Sequence, residues 1–452
     1  MRFTLLACFV VGAVLRFTNL TKESFWLDEG WLLHVIDRAS VFDVVREAAK
    51  DIHPPLQYIL LWGWARVFGE SDAALRSLSA VFATASIPAT WALARRLVAP
   101  RAALVATVIV ALSPLLLLHA HDAKQYSLVL LLATISTERF LAFAQRGSHR
   151  ALAGWAVATI LLAYTHVIGV TAVLAQDALI LVGIPRAVRH GRALLVPWFI
   201  GHVAVILAVA PVVPSLVAAT PGFQGFPGSQ SPHILWRAFK SIEGGRVATM
   251  LMVALSAAGL MLGRLRGRAV PRGLRASLVL AAIMILGPWA ASALTFPSFA
   301  RRLLIPGIPP LAIGLGVGLM RLASPARRGL PVALAVCAIA VGISSLHPRV
   351  EREQWREASA FIGSNAKPGD AVLSLGVPDG ILLRRYLPKG GPEVLDGSAK
   401  IPSPSPGGAR LFVVSSSHTE DLEVWRAALV ARGWRESAST PFVLMRVLRY
   451  DP

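Results

Sequence analysis

Apolar residues run through this chain in long blocks separated by short polar connections, and most blocks approach the ~20 residues a helix needs to cross a bilayer. Eleven spans are predicted, at residues 3–18, 74–94, 102–118, 126–144, 151–165, 167–185, 193–215, 247–263, 276–296, 303–320 and 330–346. Three regions interrupt the pattern: a loop at 18–73, a Pro/Gly/Ser-rich loop at 216–246, and everything from 347 onward. In the last region the periodicity predicts an amphipathic helix over Glu351 to Ile362, strands over Ala371 to Leu375 and Arg410 to Ser415, a helix over Glu420 to Arg432, and a closing strand over Phe442 to Arg449. Asp379 to Leu387 has helical character, and Gly390 to Gly408 reads as loop. The expected fold class is an all-α polytopic membrane domain over 1–346, including the first loop 18–73, followed by a small α/β domain over 347–452. No internal repeat is visible.

Composition agrees: of 452 residues 55% are hydrophobic and 15% charged, against roughly 25% charged in an ordinary soluble domain. The mean hydropathy of +0.60 excludes a disordered chain. The formal charge of +20 would suggest nucleic acid if it lay on one exposed face, but it does not. Arg2 and the connections after the second, fourth, sixth, eighth and tenth spans hold 18 cations and one acidic residue, Glu138. Residues 16–76 hold seven cations and nine anions, and residues 347–452 hold fourteen and twelve. The positive-inside rule then places the N-terminus in the cytoplasm and the first loop outside, and an odd span count places the C-terminal domain outside too. The basic rim reports orientation, so no nucleic-acid partner is expected. Cys8 and Cys337 both fall in predicted spans, which leaves no disulfide framework. Too few apolar residues precede Cys8 for a signal-peptide core, so the first segment is read as an uncleaved span.

Candidate chemistry lies where polar groups are costly. Residues 73–346 hold four acidic side chains, Asp122, Glu138, Asp177 and Glu243. Asp122 sits in His119-Ala120-His121-Asp122-Ala123-Lys124-Gln125-Tyr126, between the third and fourth spans. The first loop carries Phe25-Trp26-Leu27-Asp28-Glu29-Gly30 and then His53-Pro54-Pro55-Leu56-Gln57-Tyr58. All three clusters fall on one predicted face of the membrane. Carboxylates, cations and a broken interfacial loop suit the activation of a hydroxyl against a lipid-phosphate-linked donor: a base removes the acceptor proton and cations stabilise charge on the departing phosphate. Taken singly, each cluster also has an ordinary explanation. Asp28 and Glu29 could cap a loop helix, His53 could be a solvated residue before a Pro-Pro turn, and Asp122 could pair with Lys124.

The order of Trp26-Leu27-Asp28-Glu29, His53-Pro54-Pro55-Leu56, Phe68-Gly69-Glu70 with Ala74-Leu75-Arg76-Ser77-Leu78, Ser113-Pro114 and Asp122-Ala123-Lys124-Gln125-Tyr126-Ser127-Leu128 resembles bacterial family 39 glycosyltransferases. These belong to the GT-C membrane superfamily, together with the protein mannosyltransferases and the lipid A aminoarabinose transferase. The resemblance is strongest over 15–130 and extends to Arg301-Arg302-Leu303-Leu304-Ile305-Pro306 and to Gln354-Trp355-Arg356-Glu357-Ala358. It implies a GT-C fold of about 11 helices and an inverting transfer from a polyprenyl-phosphate sugar donor to a cell-envelope acceptor hydroxyl. The setting implied is the outer face of a bacterial cytoplasmic membrane. Asp28 takes the place of the family's catalytic base, with Glu29 beside it, and Asp122 that of the second acidic position. The basic residue that meets donor phosphate falls on His53, here His rather than Lys, so Lys124, Arg301 or Arg302 can carry that contact instead.

Tyr126 and His166 complete the expected binding set, His166 being also readable as a helix-end histidine. Asp177, with Gln176, is read first as a buried helix–helix hydrogen bond. Trp26 and Trp31 are read as interfacial anchors before sugar platforms. No obligatory cofactor is expected, although a divalent cation held by Asp28 and Asp122 is compatible with hard-ion chemistry. The rival function is a transporter or flippase for a lipid-linked sugar, which predicts paired broken spans and polar sites near the midplane.

Overall fold

The computed structural model describes the chain apart from residues 182–191, 221–224, 226–229, 241–245, 268, 296, 323–332, 334–335, 338–339, 341–351, 376–379, 397–401, 405–407 and 417–421. It divides into two compact units. The first comprises Met1–Thr18, Ser40–Gly69 and Ala74–His347, and the second Asn19–Ala39, Glu70–Ala73 and Pro348–Pro452. The predicted first loop is therefore shared between the units.

In the first unit the chain runs through α1 (Arg2–Phe17), α3 (Val41–Ala48), α4 (Leu56–Phe68), α5 (Asp72–Leu97, whose first two residues belong to the second unit), α6 (Pro100–Leu112), α7 (Pro114–Ala120), α8 (Tyr126–Arg146) and α9 (His149–Ala163). It continues through α10 (Val170–Leu181), α11 (Arg192–Val209), α12 (Val213–Ala219), α13 (Pro232–Lys240), α14 (Arg246–Leu265), α15 (Arg272–Leu294) and α16 (Ile308–Leu322). Among the described residues, six helices are long and apolar enough to cross a membrane, or seven with the bent pair α6–α7. The 16-residue α1 and the shorter apolar helices at 149–163 and 167–181 fall on three further predicted spans. The eleventh predicted span, 330–346, lies almost wholly outside the described residues.

The core of this unit is deepest on α6 and α8, where Val105, Ile109, Phe140 and Phe143 are buried. Helices α14 and α16 cross so closely that a Cβ on Gly318 would lie 2.5 Å from the Ser256 carbonyl oxygen, the approach small residues permit between membrane helices. Gln176 is buried between helices, as expected for a membrane polar contact: it accepts from Trp155 Nε1 at 2.7 Å and donates to Ser136 and Thr137. Its neighbour Asp177 is half-buried beside His202 Nε2, 3.3 Å away.

The α6–α7 break of 49° has a covalent cause. Pro114 has no N–H, so the Val110 carbonyl one turn earlier loses its helical donor. Arg16, fully buried in the last turn of α1, supplies replacements: its guanidinium donates to Val110 O at 3.1 Å, to Ala111 O at 2.6 Å and to Gly12 O at 2.9 Å. Counted with the first loop in the sequence, this cation is instead an interior cap on a broken helix.

The C-terminal part of the second unit is a five-stranded sheet ordered β2-β1-β3-β5-β4, with β1 Ala371–Leu375, β2 Glu393–Asp396, β3 Leu411–Ser416, β4 Arg435–Phe442 and β5 Met445–Asp451. Strand β1 runs parallel to β2 and β3, and β5 is antiparallel to both β3 and β4. All six residues of β3 are buried, which is why the sequence pattern exposes it. Two strands depart from the sequence expectation. The four-residue β2 lies in the stretch read as loop, and β4 was not anticipated. Both are edges, and β4 is largely polar and exposed, so neither carries an apolar run. The helices Trp355–Asn365, Ile381–Tyr386 and Leu422–Ala431 match their predicted positions.

Asp370, at the start of β1, accepts from Arg410 Nη2 at 2.6 Å, from the Arg410 N–H at 2.8 Å and from the Lys367 N–H at 2.7 Å. Burial alone would raise its pKa, but the Arg410 side chain and these N–H groups reverse the effect and hold it below the ordinary value. A depressed carboxylate stabilises the fold above its unfolded pKa, and that contribution is lost as pH falls through the lower folded value. Asp370→Asn is expected to destabilise this domain by roughly 3 kcal/mol at neutral pH, read as an earlier thermal transition. The difference from the parent protein should shrink on acidification into the range where Asp370 itself protonates.

Candidate active site

In the first unit the turn between α7 and α8 carries Asp122. Its carboxylate lies 2.7 Å from His119 Nδ1, one helical turn back, and both side chains are buried. The turn is fixed from outside: Gln57 Nε2 donates to Ala123 O at 3.3 Å and Ser79 Oγ to Lys124 O at 3.1 Å. His121 Nε2 meets Leu15 O at 3.1 Å. Lys124 is only 2% exposed, and its ammonium charge lies within electrostatic reach of the Asp51 carboxylate.

A second constellation forms at the start of α4. His53 Nδ1 lies 3.1 Å from Asp51 Oδ2, and the Tyr58 hydroxyl donates to the same oxygen. Burial would raise the Asp51 pKa, but the hydrogen bond and charge of His53, with Lys124 and Tyr58, hold it far below the ordinary carboxylate range. The Leu56 N–H donates to Tyr164 O at 3.0 Å, docking the first turn of α4 on the end of α9. His53 thereby meets His166, with ring centres 5.2 Å apart.

His166 lies at the centre of this cluster. Its Nδ1 accepts the Ile168 N–H at 3.1 Å, so it is the helix-end histidine of one sequence reading. Its ring is also 6.1 Å from that of Tyr126, which lies 5.0 Å from His119. Burial first, then the positive surroundings of His53, Arg302 and Lys124, push its pKa well below the usual histidine value. At neutral pH it is a neutral imidazole, and with Nδ1 accepting, its proton is on Nε2. Arg302, on the 3-10 turn Arg301–Gly307, places its guanidinium carbon 5.5 Å from the Tyr126 ring centre. Arg301 is half-buried beside it on the same turn. The structure thus gathers His53, Lys124, Tyr126, His166 and Arg302 around one point, with Asp122 attached through His119. Such a set of cations and neutral donors suits a phosphate and a polar ring.

Asp28 and Glu29 belong to the second unit. They open α2 (Leu27–Ile36), whose N-terminus favours negative charge. Glu29 is fully buried and accepts the Trp26 N–H at 3.4 Å, the acidic half of a capping box. Asp28 is half-buried. Trp26, which precedes α2 as its cap, and Trp31 within it are half-buried, Trp31 stacked on His34 at 5.4 Å. Among the described residues no group of three His, Cys, Asp or Glu side chains is placed to hold a metal ion.

Residues 52–217 match the model of the family described as dolichyl-phosphate-mannose-protein mannosyltransferase. Among solved structures, ArnT from Cupriavidus metallidurans bound to undecaprenyl phosphate aligns over 98% of this chain and 97% of its own, with a TM-score of 0.62 and 16% identity. The chain has the GT-C membrane fold. Another GT-C structure, the oligosaccharyltransferase AglB from Archaeoglobus fulgidus in complex with an inhibitory peptide and a dolichol-phosphate, aligns over 95% of this chain and 71% of its own, with a TM-score of 0.55 and 11% identity. No curated protein sequence matches. The chain thus shares the fold of membrane glycosyltransferases over almost its whole length and resembles the mannosyltransferase family over residues 52–217. The family match covers His53, Asp122, Lys124, Tyr126 and His166, whereas Asp28, Arg301 and Arg302 lie outside it.

Three residues of this GT-C chain's cluster were not singled out from the sequence. Asp51 precedes His53 by two positions, and the signal for it was present: an acidic residue within reach of a candidate His. His119 was quoted only as part of the Asp122 motif, although an i, i+3 His–Asp pair on a helix end brings the side chains together. Tyr58 follows Asp51 by seven residues across a Pro-Pro turn, and nothing local marks that contact.

Proposed function

We propose that the chain is a glycosyltransferase of a bacterial cytoplasmic membrane that moves a sugar from a polyprenyl-phosphate donor to a hydroxyl of a cell-envelope glycan, lipid or protein on the outer face. The cluster of buried Lys124 with half-buried Arg302 and His53 around His166 carries this reading, because cations beside neutral hydrogen-bond donors fit a lipid phosphate and its sugar. In the reaction Asp28 accepts the proton of the acceptor hydroxyl, and that oxygen attacks the anomeric carbon from the face opposite the phosphate. The bond from anomeric carbon to phosphate oxygen breaks with inversion, and polyprenyl phosphate departs with the bonding pair. Lys124 and Arg302 stabilise its charge, while Asp122 holds His119 against Tyr126. Membrane lipids supply the donor's surroundings, and no step is routed through a metal. The base assignment rests on the resemblance around Trp26-Leu27-Asp28-Glu29, and the phosphate assignment on the cluster.

Lys124→Met is expected to raise the KM for a polyprenyl-phosphate sugar at least tenfold in proteoliposomes, the loss of one charge-assisted contact of about 1.5–3 kcal/mol. Arg302→Met should act in the same direction. An unchanged donor KM in both would overturn the phosphate assignment. Lipid-linked sugar crossing the bilayer with no transfer to any acceptor would favour the flippase instead.

A further inference from the structure

The segment that leads into Asp28 is fastened at Thr21, Glu23, Ser24, Phe25 and Leu27 by side chains and one backbone carbonyl of the C-terminal part of the same compact unit. Arg356 Nη1 donates to Thr21 O at 3.0 Å, and Arg352 pairs with Glu23 at 3.2 Å. Ser24 Oγ donates to the Glu353 carbonyl at 2.8 Å, and the Phe25 N–H to the Tyr386 hydroxyl oxygen at 2.8 Å. The Leu27 N–H, first in α2, donates to Glu353 Oε2 at 3.2 Å. Tyr386 in turn donates to Asp72 at 2.7 Å, and Asp72 also receives Arg356 at 2.9 Å and Arg385 at 2.8 Å. Ser24, Phe25, Glu29 and Glu353 are buried, so the bonds that Glu353 makes form largely away from water, where losing one partner is most damaging, whereas the Arg356–Thr21 contact is exposed.

This is more than is needed to close a loop. A helix of ten residues has little stability of its own. With Glu29 and Glu353 both accepting N–H groups at its first turn, the start of α2 is over-determined. Asp28 is one residue beyond the N–H that Glu353 holds.

We propose that Glu353, supported by the Tyr386–Asp72 pair, is a positioning residue for Asp28, so that the C-terminal α/β domain is a working part of the catalytic unit. This rests on Asp28 acting as the base. Glu353 touches neither donor nor acceptor; it acts by holding the α2 N-terminus so that the Asp28 carboxylate stands where the acceptor hydroxyl arrives. Misplacement by about 1 Å is enough to lower turnover by up to two orders of magnitude.

The test uses the full-length protein in proteoliposomes with a polyprenyl-phosphate sugar donor. Glu353→Leu removes the acceptor oxygen and should lower kcat tenfold to hundredfold with the donor KM within twofold of the parent. Glu353→Gln keeps an oxygen for the Leu27 N–H and should restore most of that loss. A second readout needs no activity: with Cys8 and Cys337 replaced by Ala, the rate at which a thiol reagent modifies Asp28→Cys should change at least threefold when Glu353→Leu is added. Parent-like kcat and an unchanged modification rate in Glu353→Leu would overturn the positioning role even if Asp28→Asn is inactive. Equal losses in the Leu and Gln variants would also overturn it, because a positioning bond must be rescued by the isostere. Full activity in Asp28→Asn would instead remove the base reading on which the proposal rests.

Discussion

Asp28→Asn is expected to lower sugar transfer about a thousandfold while leaving the KM for the polyprenyl-phosphate donor within a few-fold of the parent. General-base catalysis contributes roughly 10²–10⁴, and three decades correspond to about 4 kcal/mol of transition-state stabilisation. The amide keeps the size of the side chain and one acceptor oxygen, so α2 should fold as before. What is lost is a group able to take the acceptor proton. Glu29→Gln provides the contrast. Glu29 is buried and its carboxylate accepts the Trp26 N–H, an interaction the glutamine oxygen can reproduce. Its transfer rate should therefore fall much less than that of Asp28→Asn. Rates in proteoliposomes at saturating donor separate the two. Equal losses would mean that the acidic pair works as a unit, and full activity in Asp28→Asn would mean that the base lies elsewhere.

The membrane helices and the polar cluster were legible for the same reason: both rest on local pattern. Long apolar runs announce helices, and Asp122-Ala123-Lys124-Gln125-Tyr126 brings an anion, a cation and a ring onto one short turn. Arg302 was marked by the resemblance that extends to Arg301-Arg302-Leu303-Leu304-Ile305-Pro306, and it does stand over Tyr126. What stayed hidden depends on contacts between distant segments. Glu353 is one acidic residue among twelve in 347–452, and only the fold brings it to the start of α2, 326 positions earlier. Asp72 reads as an ordinary first-turn residue of α5, yet three side chains from 356 to 386 converge on it. The edge strands β2 and β4 were illegible because a strand with one unpaired edge and an exposed face has no apolar alternation to display. The two acidic clusters were grouped in the sequence by predicted membrane face, whereas the structure assigns Asp28 and Asp122 to separate compact units, each with its own set of partners.

Arg16→Met is expected to be the most destabilising single change in the membrane unit, at about 3–5 kcal/mol. Methionine approximates the volume of the arginine stem, so the cost is chiefly electrostatic. The carbonyls of Val110 and Ala111, at the end of α6, would lose donors that Pro114 cannot replace. Each buried unsatisfied group costs roughly 1–3 kcal/mol, and no water is at hand inside a helical membrane core. Arg16→Lys retains a cation but lacks the planar fork that serves three carbonyls from one side chain, so it should recover only part of the stability. The same bonds aim α7, and Leu15 beside Arg16 receives His121, the residue before Asp122. Loss of Arg16 should therefore also reduce transfer in the fraction that remains folded, with donor KM rising as the Asp122–Tyr126 turn drifts from His53 and His166. Thermal unfolding in detergent, paired with donor KM in proteoliposomes, reads both effects. Parent-like stability in Arg16→Met would show that the α6–α7 break needs no cap from α1. Lowered stability with an unchanged donor KM would confine Arg16 to the fold and leave the cluster independent of it.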